Sequence, residues 1–243
     1  NDLATKSAGW RYGQDRRKRM AYEYVSEKEV KPYRSECSRI LTELRDHLNE
    51  EYGIITQFFL VGSGSHARKL VMRNGNSPFD LDYNLVVIRM PEEYWNDTRC
   101  LKNRVRDSLN LILRRSRSHV VRGGQFSDGK DSTSVITALM YTPGVLSQVA
   151  FSFDLAIMAR DEDGTYYRLL HDKGSNNYLW GEAPSVHHIR EKADAIKSQR
   201  RWGEVRKRYK DKKNMYLERQ DKNHPSYIVY VETINEVYRK YFN

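Results

Sequence analysis

Apolar positions along this chain recur with two periods, and the changes of period outline alternating helices and strands. Cys37, Ile40, Leu41, Leu44 and Leu48 share the spacing of one helical face, with Pro32 suited to a first turn and Gly53 to a stop. Ile55 to Val61 is a short apolar run that ends in glycine and serine, the pattern of a buried strand delivering a loop. From Leu81 to Ile88 the alternation is that of a strand: Leu81, Tyr83, Leu85 and Val87 form one face, and Asp80, Asp82 and Asn84 the other. Pro91 opens a second helix through Trp95, Leu101, Val105, Leu109 and Ile112, with Arg114 and Arg115 favourably placed at its C-terminal end.

Three further strands are expected at Ser118 to Arg122, Ser134 to Tyr141 and Ser147 to Met158, the first two separated by a loop from Gly123 to Asp131. In the last of them Val149, Phe151, Phe153, Leu155 and Ile157 make an apolar face and Ser152 and Asp154 the opposite one. Arg168 to Gly174 reads as an edge strand and turn, after which the pattern becomes helical. A final helix starts near Pro225 and carries Tyr227, Val231, Ile234, Tyr238 and Phe242 on one stripe.

No repeat, low-complexity tract or Gly/Ser/Pro-rich linker divides the 243 residues. The expected organisation is an α/β core over residues 1–184, including the N-terminal helix, with a basic helical region over 185–243 packed on it. Two cysteines, Cys37 and Cys100, lack the spacing of a disulfide framework or zinc site and favour a reducing compartment. No run approaches the roughly twenty apolar residues of a membrane helix, and the polar start Asn1 to Lys6 lacks a signal peptide's apolar segment. A soluble, cytoplasmic protein is expected, with no membrane partner.

The net charge of +10 suggests polyanionic partners. Residues 187–243 hold fifteen Lys/Arg against eight Asp/Glu. Arg200, Arg201, Arg206, Lys207, Arg208, Lys210, Lys212 and Lys213 are the dense part, with Trp202 and Tyr209 interleaved as candidate base-stacking surfaces. A solvated helix face is the plainer reading of the same run.

The candidate chemistry lies in the core. Asp80 and Asp82 project from one strand face, and carboxylates this close repel unless a cation neutralises them; hard oxygen ligands select Mg²⁺ or Mn²⁺. Asp154 is a third acid in an otherwise apolar strand, costly to bury unless paired or bound to metal. Before them, Val61-Gly62-Ser63-Gly64-Ser65 offers glycines that let backbone approach phosphate, a serine hydroxyl, and free N–H groups if a helix begins near His66. Arg68 and Lys69 add positive charge. Three carboxylates beside a phosphate loop are the parts of a metal-dependent phosphoryl-transfer site.

Gly64-Ser65-His66-Ala67-Arg68, then Phe79-Asp80-Leu81-Asp82-Tyr83-Asn84-Leu85, then Phe153-Asp154-Leu155 resembles the active-site signature of the nucleotidyltransferase superfamily related to DNA polymerase β. Its Gly-Ser-x-Ala-Arg start is similar to the minimal nucleotidyltransferases, and the long preceding helix to the cyclic-oligonucleotide synthases and antibiotic adenylyltransferases. Two features depart from the pattern: the loop between Ser65 and Asp80 is longer than in the minimal enzymes, by an insertion within Val71 to Ser77, and Lys69 stands where glycine usually follows the arginine. The resemblance, over residues 58–158, implies a mixed β-sheet flanked by helices, two Mg²⁺ ions, and transfer of a nucleoside monophosphate from an NTP, expected to be ATP, to a hydroxyl with release of pyrophosphate.

By the same resemblance Asp80, Asp82 and Asp154 hold metal and catalyse, while Gly64 and Ser65 touch the triphosphate. Gly62, Ser63, Arg68 and Lys173 are further candidates for binding it, and RNA or a second nucleotide for the acceptor. Tyr178 and Trp180 are candidate base-stacking groups, and Lys212, Lys213 and Tyr216 a candidate cover. His66, His187 and His188 lack metal-ligand partners at useful spacing. The competing reading is a catalytically inactive nucleotide- or RNA-binding module that uses the basic C-terminal region.

Overall fold

The computed structural model describes residues 21–242, so the polar start Asn1 to Lys6 lies outside the described residues. In chain order the elements are β1 (Tyr22–Tyr24), α1 (Glu27–Tyr52), β2 (Ile55–Val61), a 3₁₀ turn (Gly62–Gly64), β3 (Met72–Asn74), β4 (Asp80–Arg89), α2 (Glu92–Asn96) and α3 (Thr98–Arg115). They continue with β5 (Lys130–Asp131), β6 (Ile136–Thr142), β7 (Val145–Arg160), β8 (Tyr166–Asp172), β9 (Asn177–Glu182), α4 (His187–Ser198), α5 (Trp202–Glu218) and α6 (Ser226–Phe242).

Seven strands form one mixed sheet in the order β2-β4-β7-β6-β5, with β8 pairing the far end of β7 and β9 pairing β8. Only β4 and β7 run parallel in it, in a register that sets Asp82 directly beside Asp154. Leu81, Tyr83, Leu85, Phe151, Phe153, Leu155 and Ile157 point to the face covered by α1 and α3, and with Ile40, Leu41, Leu44, Val105, Leu109 and Ile112 they make the main core. The opposite face carries the acids and a small apolar floor of Val86, Ala156 and Met158. A second cluster joins α4, α5 and α6 through Ala193, Ile196, Val205, Tyr209, Val229, Tyr230, Ile234 and Val237, and it draws in Leu70 and Tyr24 from the N-terminal half. Among the described residues no helix is long and apolar enough to cross a membrane.

Several expected boundaries move, each for a local reason. Helix α1 begins five residues before Pro32, because Ser26 caps it by accepting from the Glu29 N–H, and it ends at Gly53 in a left-handed conformation (φ +63°) that returns N–H groups to the last carbonyls. The helix after Pro91 is two helices, broken where Asp97 caps α3 at the Cys100 N–H; Trp95 is thereby left 43% exposed against Trp180 rather than on a buried stripe. Ser118 to Arg122 is no strand: the Ser118 hydroxyl accepts from the Val120 and Val121 N–H groups, turning the chain. Asn177–Glu182 is a strand where the sequence pattern reads as helix, completing a hairpin with β8. The buried stripe of α6 runs through Val229, Tyr230, Thr233, Ile234 and Val237, so the expected phase is rotated and Tyr227 faces outward.

Candidate active site

Strand β2 ends at Val61, which pairs with Asp82, so the loop that follows begins beside the second acid. Gly62 takes φ +63°, and a Cβ added there would stand 2.5 Å from Asp82 Oδ2. Gly64 is buried, and its Cβ would collide with Leu81 Cδ2 at 2.7 Å. At both glycines a Cβ would push against a side chain of β4. No helix starts near His66. Ser65 instead closes a turn, its carbonyl accepting from the Arg68 and Lys69 N–H groups, and the Leu70 N–H returns to the Ser63 carbonyl at 3.1 Å. Lys69, in the position where the family pattern has glycine, adopts φ +54°. The free N–H groups expected from a helix N-terminus near His66 are therefore absent, and a compact turn stands in that place.

The sheet brings together the three acids. One carboxylate oxygen from each of Asp80, Asp82 and Asp154 lies within 4.8 Å of the others. Burial pushes the Asp82 carboxyl up to about 7, helped by the charges of Asp80 and Asp154 and opposed by Arg168. Burial also raises Asp154, against a 2.5 Å hydrogen bond donated by Thr137 Oγ1. Three converging carboxylates, all hard oxygen donors, fit a divalent cation such as Mg²⁺ or Mn²⁺.

The loop is held from two sides. Buried Arg34 on α1 donates to Glu27 and reaches His66 Nδ1 at 3.4 Å. From the C-terminal region, Trp202 Nε1 donates to the Arg68 carbonyl at 2.8 Å, and the Arg68 guanidinium lies 4.4 Å over the Tyr230 ring while reaching the Gly62 carbonyl at 3.4 Å. Arg68 is thus at the loop, braced by Tyr230. Lys213 is half-buried in character: burial lowers its ammonium, with Asp80 pulling it back up, and its Nζ donates to Ser226 at 2.9 Å. Its charge therefore bears on the acids.

Other candidates lie elsewhere. Lys173 is exposed in the turn after β8, where its charge opposes that of Lys102 on α3. Tyr178 stacks on His171 at 4.1 Å and Trp180 packs near Trp95, both against the main core. Lys212 is paired with Glu232 and Glu236, and Tyr216 donates to Glu232. Tyr209 is 3% exposed, and Trp202 is committed to Arg68, so neither is a free stacking surface. His187 and His188 do meet a third ligand, Glu191, one turn along α4, on an exposed surface.

Thr137 and Arg168 escape the sequence reading. Thr137 sits between apolar neighbours at a polar-face position of β6, but only the β6–β7 register reveals that it meets Asp154. Arg168 faces Met158 across β8 and β7, a pairing with no local signature.

No family model and no curated protein matches this sequence. Among solved structures, CdnC of E. coli MS115-1 with ATP superposes with a TM-score of 0.51 and 14% identity, covering 88% of this chain and 62% of that one. Escherichia coli DncV in its 3'-deoxy GTP bound form gives 0.49 at 14% identity, over 90% of this chain and 55% of that one. Rhodothermus marinus CdnE c-UMP-AMP synthase with Apcpp and Upnpp gives 0.46 at 14%, over 87% and 75%. The chain thus spans less than two thirds of the length of CdnC and DncV. At this identity the likeness is one of fold: the mixed β-sheet flanked by helices that the motifs led one to expect is shared with CdnC.

Proposed function

We propose that this chain is a metal-dependent nucleotidyltransferase that moves a nucleoside monophosphate from an NTP to a hydroxyl acceptor. The observation that carries the reading is the convergence of Asp80, Asp82 and Asp154 within 4.8 Å, on a strand pair whose neighbour delivers the Gly62–Ser65 loop. Asp80, Asp82 and Asp154 would hold Mg²⁺ or Mn²⁺, which when bound supplies positive charge against the triphosphate and acidifies the acceptor hydroxyl.

The protein's own groups then have distinct tasks. Gly62, Ser63, Gly64 and Ser65 bring backbone and hydroxyl donors to the triphosphate without a side chain in the way. Arg68 and Lys213 add positive charge from the loop and from α5. Asp154, oriented by Thr137, accepts the acceptor's proton as its oxygen bonds to the α-phosphorus and the bond to the β-phosphate breaks, releasing pyrophosphate. ATP is the first NTP to test, since CdnC was solved with it. The acceptor class is a second nucleotide or an RNA end. We take residues 185–243 as the region that braces the loop.

The binding-module alternative rests on the basic C-terminal run, and three of its eight cations are occupied: Arg208 by Glu204 and Glu236, Lys210 by Glu23, Lys212 by Glu232 and Glu236. Incubation of the chain with each labelled NTP and Mg²⁺ or Mn²⁺, alone and with RNA, should release pyrophosphate and label a product. Asp82→Asn should reduce release to background while the protein stays folded. Turnover that persists in that variant, or none in wild type with any NTP, overturns the proposal.

A further inference from the structure

Cations also converge away from the C-terminal region. On the outer side of α1 and α3, across the sheet from the aspartates, an open pocket of about 400 Å³ is lined by Arg39, Glu43, Arg115, Ser116, Arg117 and His119. Glu43 accepts from Arg39 Nη1 at 2.9 Å and from Arg115 Nη2 at 3.3 Å, holding two guanidinium groups on one carboxylate. Arg117 donates to the neutral side chain of Gln125, so its charge is not cancelled there. Three guanidinium groups against one carboxylate leave the pocket with two excess positive charges when His119 is neutral.

Behind this lining some polar atoms are left unbonded. Arg39 Nε and Nη2 and the Ser116 hydroxyl are shut off from water without a hydrogen-bond partner, and Ser116 is 5% exposed. Each buried unpaired polar group costs about 1–3 kcal/mol. The wall is built rather than loose, since Ser118 closes the adjoining turn and donates to buried Glu36 on α1 at 2.9 Å. A concave site of this volume suits a small molecule, whereas a nucleic-acid backbone needs an extended track.

We infer that this pocket binds a small phosphate ester through Arg39, Arg115 and Arg117, independently of whether the aspartates transfer nucleotides. The test is calorimetric titration of the full chain with AMP and with inorganic phosphate, at low salt and in EDTA to disable the carboxylate site. Saturable binding of AMP is expected, unchanged in Asp82→Asn and weakened about tenfold or more in the double variant R115Q/R117Q, as loss of charge-assisted hydrogen bonds predicts. Arg115 is 58% exposed at its side chain and Arg117 is exposed, so the double variant should melt at the wild-type temperature. Binding unaffected by R115Q/R117Q, binding lost in Asp82→Asn, or binding of an RNA oligonucleotide with none of AMP or phosphate would each overturn the assignment.

Discussion

Gly62 carries two constraints at one α-carbon: a left-handed φ of +63° and an approach that leaves no room for a methyl group beside Asp82. Gly62→Ala should therefore cost about 1–2 kcal/mol from the backbone conformation alone. It should also displace the Asp82 carboxylate, abolishing pyrophosphate release. Thermal melting and the release assay check the two parts, and an alanine variant with full stability and turnover would refute the close approach. The acids and glycines that meet here were legible in the sequence because they are distinctive residue types: acids at alternate strand positions, glycines where backbone must pass close by. The residues that tune it were not. Thr137 and Arg168 act on Asp154 and Asp82 through strand register, and a threonine or arginine in a strand looks the same with any partner.

Among elements, β5, α3 and the β8–β9 hairpin are tied by one acid that the sequence places at the end of a loop. Asp131 receives Lys102 Nζ at 2.5 Å and His171 Nδ1 at 2.8 Å, and Lys102 is 3% exposed at its side chain. Burial pushes the Asp131 carboxyl up, but the bonds from Lys102 and His171 outweigh it and hold the group below the usual carboxylate range. Asp131→Asn should destabilise by about 3 kcal/mol at neutral pH, because a buried ammonium loses its counter-charge. With the folded-state value depressed, the stabilisation is present above the unfolded value near 4 and is lost as pH falls through the folded one. The gap between wild type and variant should accordingly narrow below about pH 4 in urea unfolding, and a gap that widens there would refute this account. Helices and central strands with many apolar repeats were readable from sequence. The α2–α3 break, the Ser118 turn and the phase of α6 were not, because single side-chain hydrogen bonds or a neighbouring helix decided them.

At the scale of the molecule, the C-terminal helices brace the loop over residues 62–69. Leu70, just past the loop, belongs to their apolar cluster, and Trp202 and Tyr230 hold Arg68 at its backbone and its guanidinium. Trp202→Phe keeps most of the ring but removes the donor, so stability should fall by about 1 kcal/mol. If the proposed reaction is correct, NTP turnover should fall further than that loss explains, since the loop is freed while the acids are untouched. A variant that loses stability but turns over at the wild-type rate would show that the brace is structural only.

The sequence by itself determined the alternation of helices and strands, the polar face bearing Asp80 and Asp82, and the loop that precedes them, because periodicity and residue chemistry are local. Tertiary structure decided the rest. The parallel β4–β7 register set Asp154 beside Asp82, and helix packing turned Trp202 and Tyr209 inward. Ion pairs with other segments took up Lys210 and Lys212, while Arg39, Arg115 and Arg117 were gathered around one pocket. Each of these depends on which segment lies next to which, and one segment's sequence carries no record of its neighbour's.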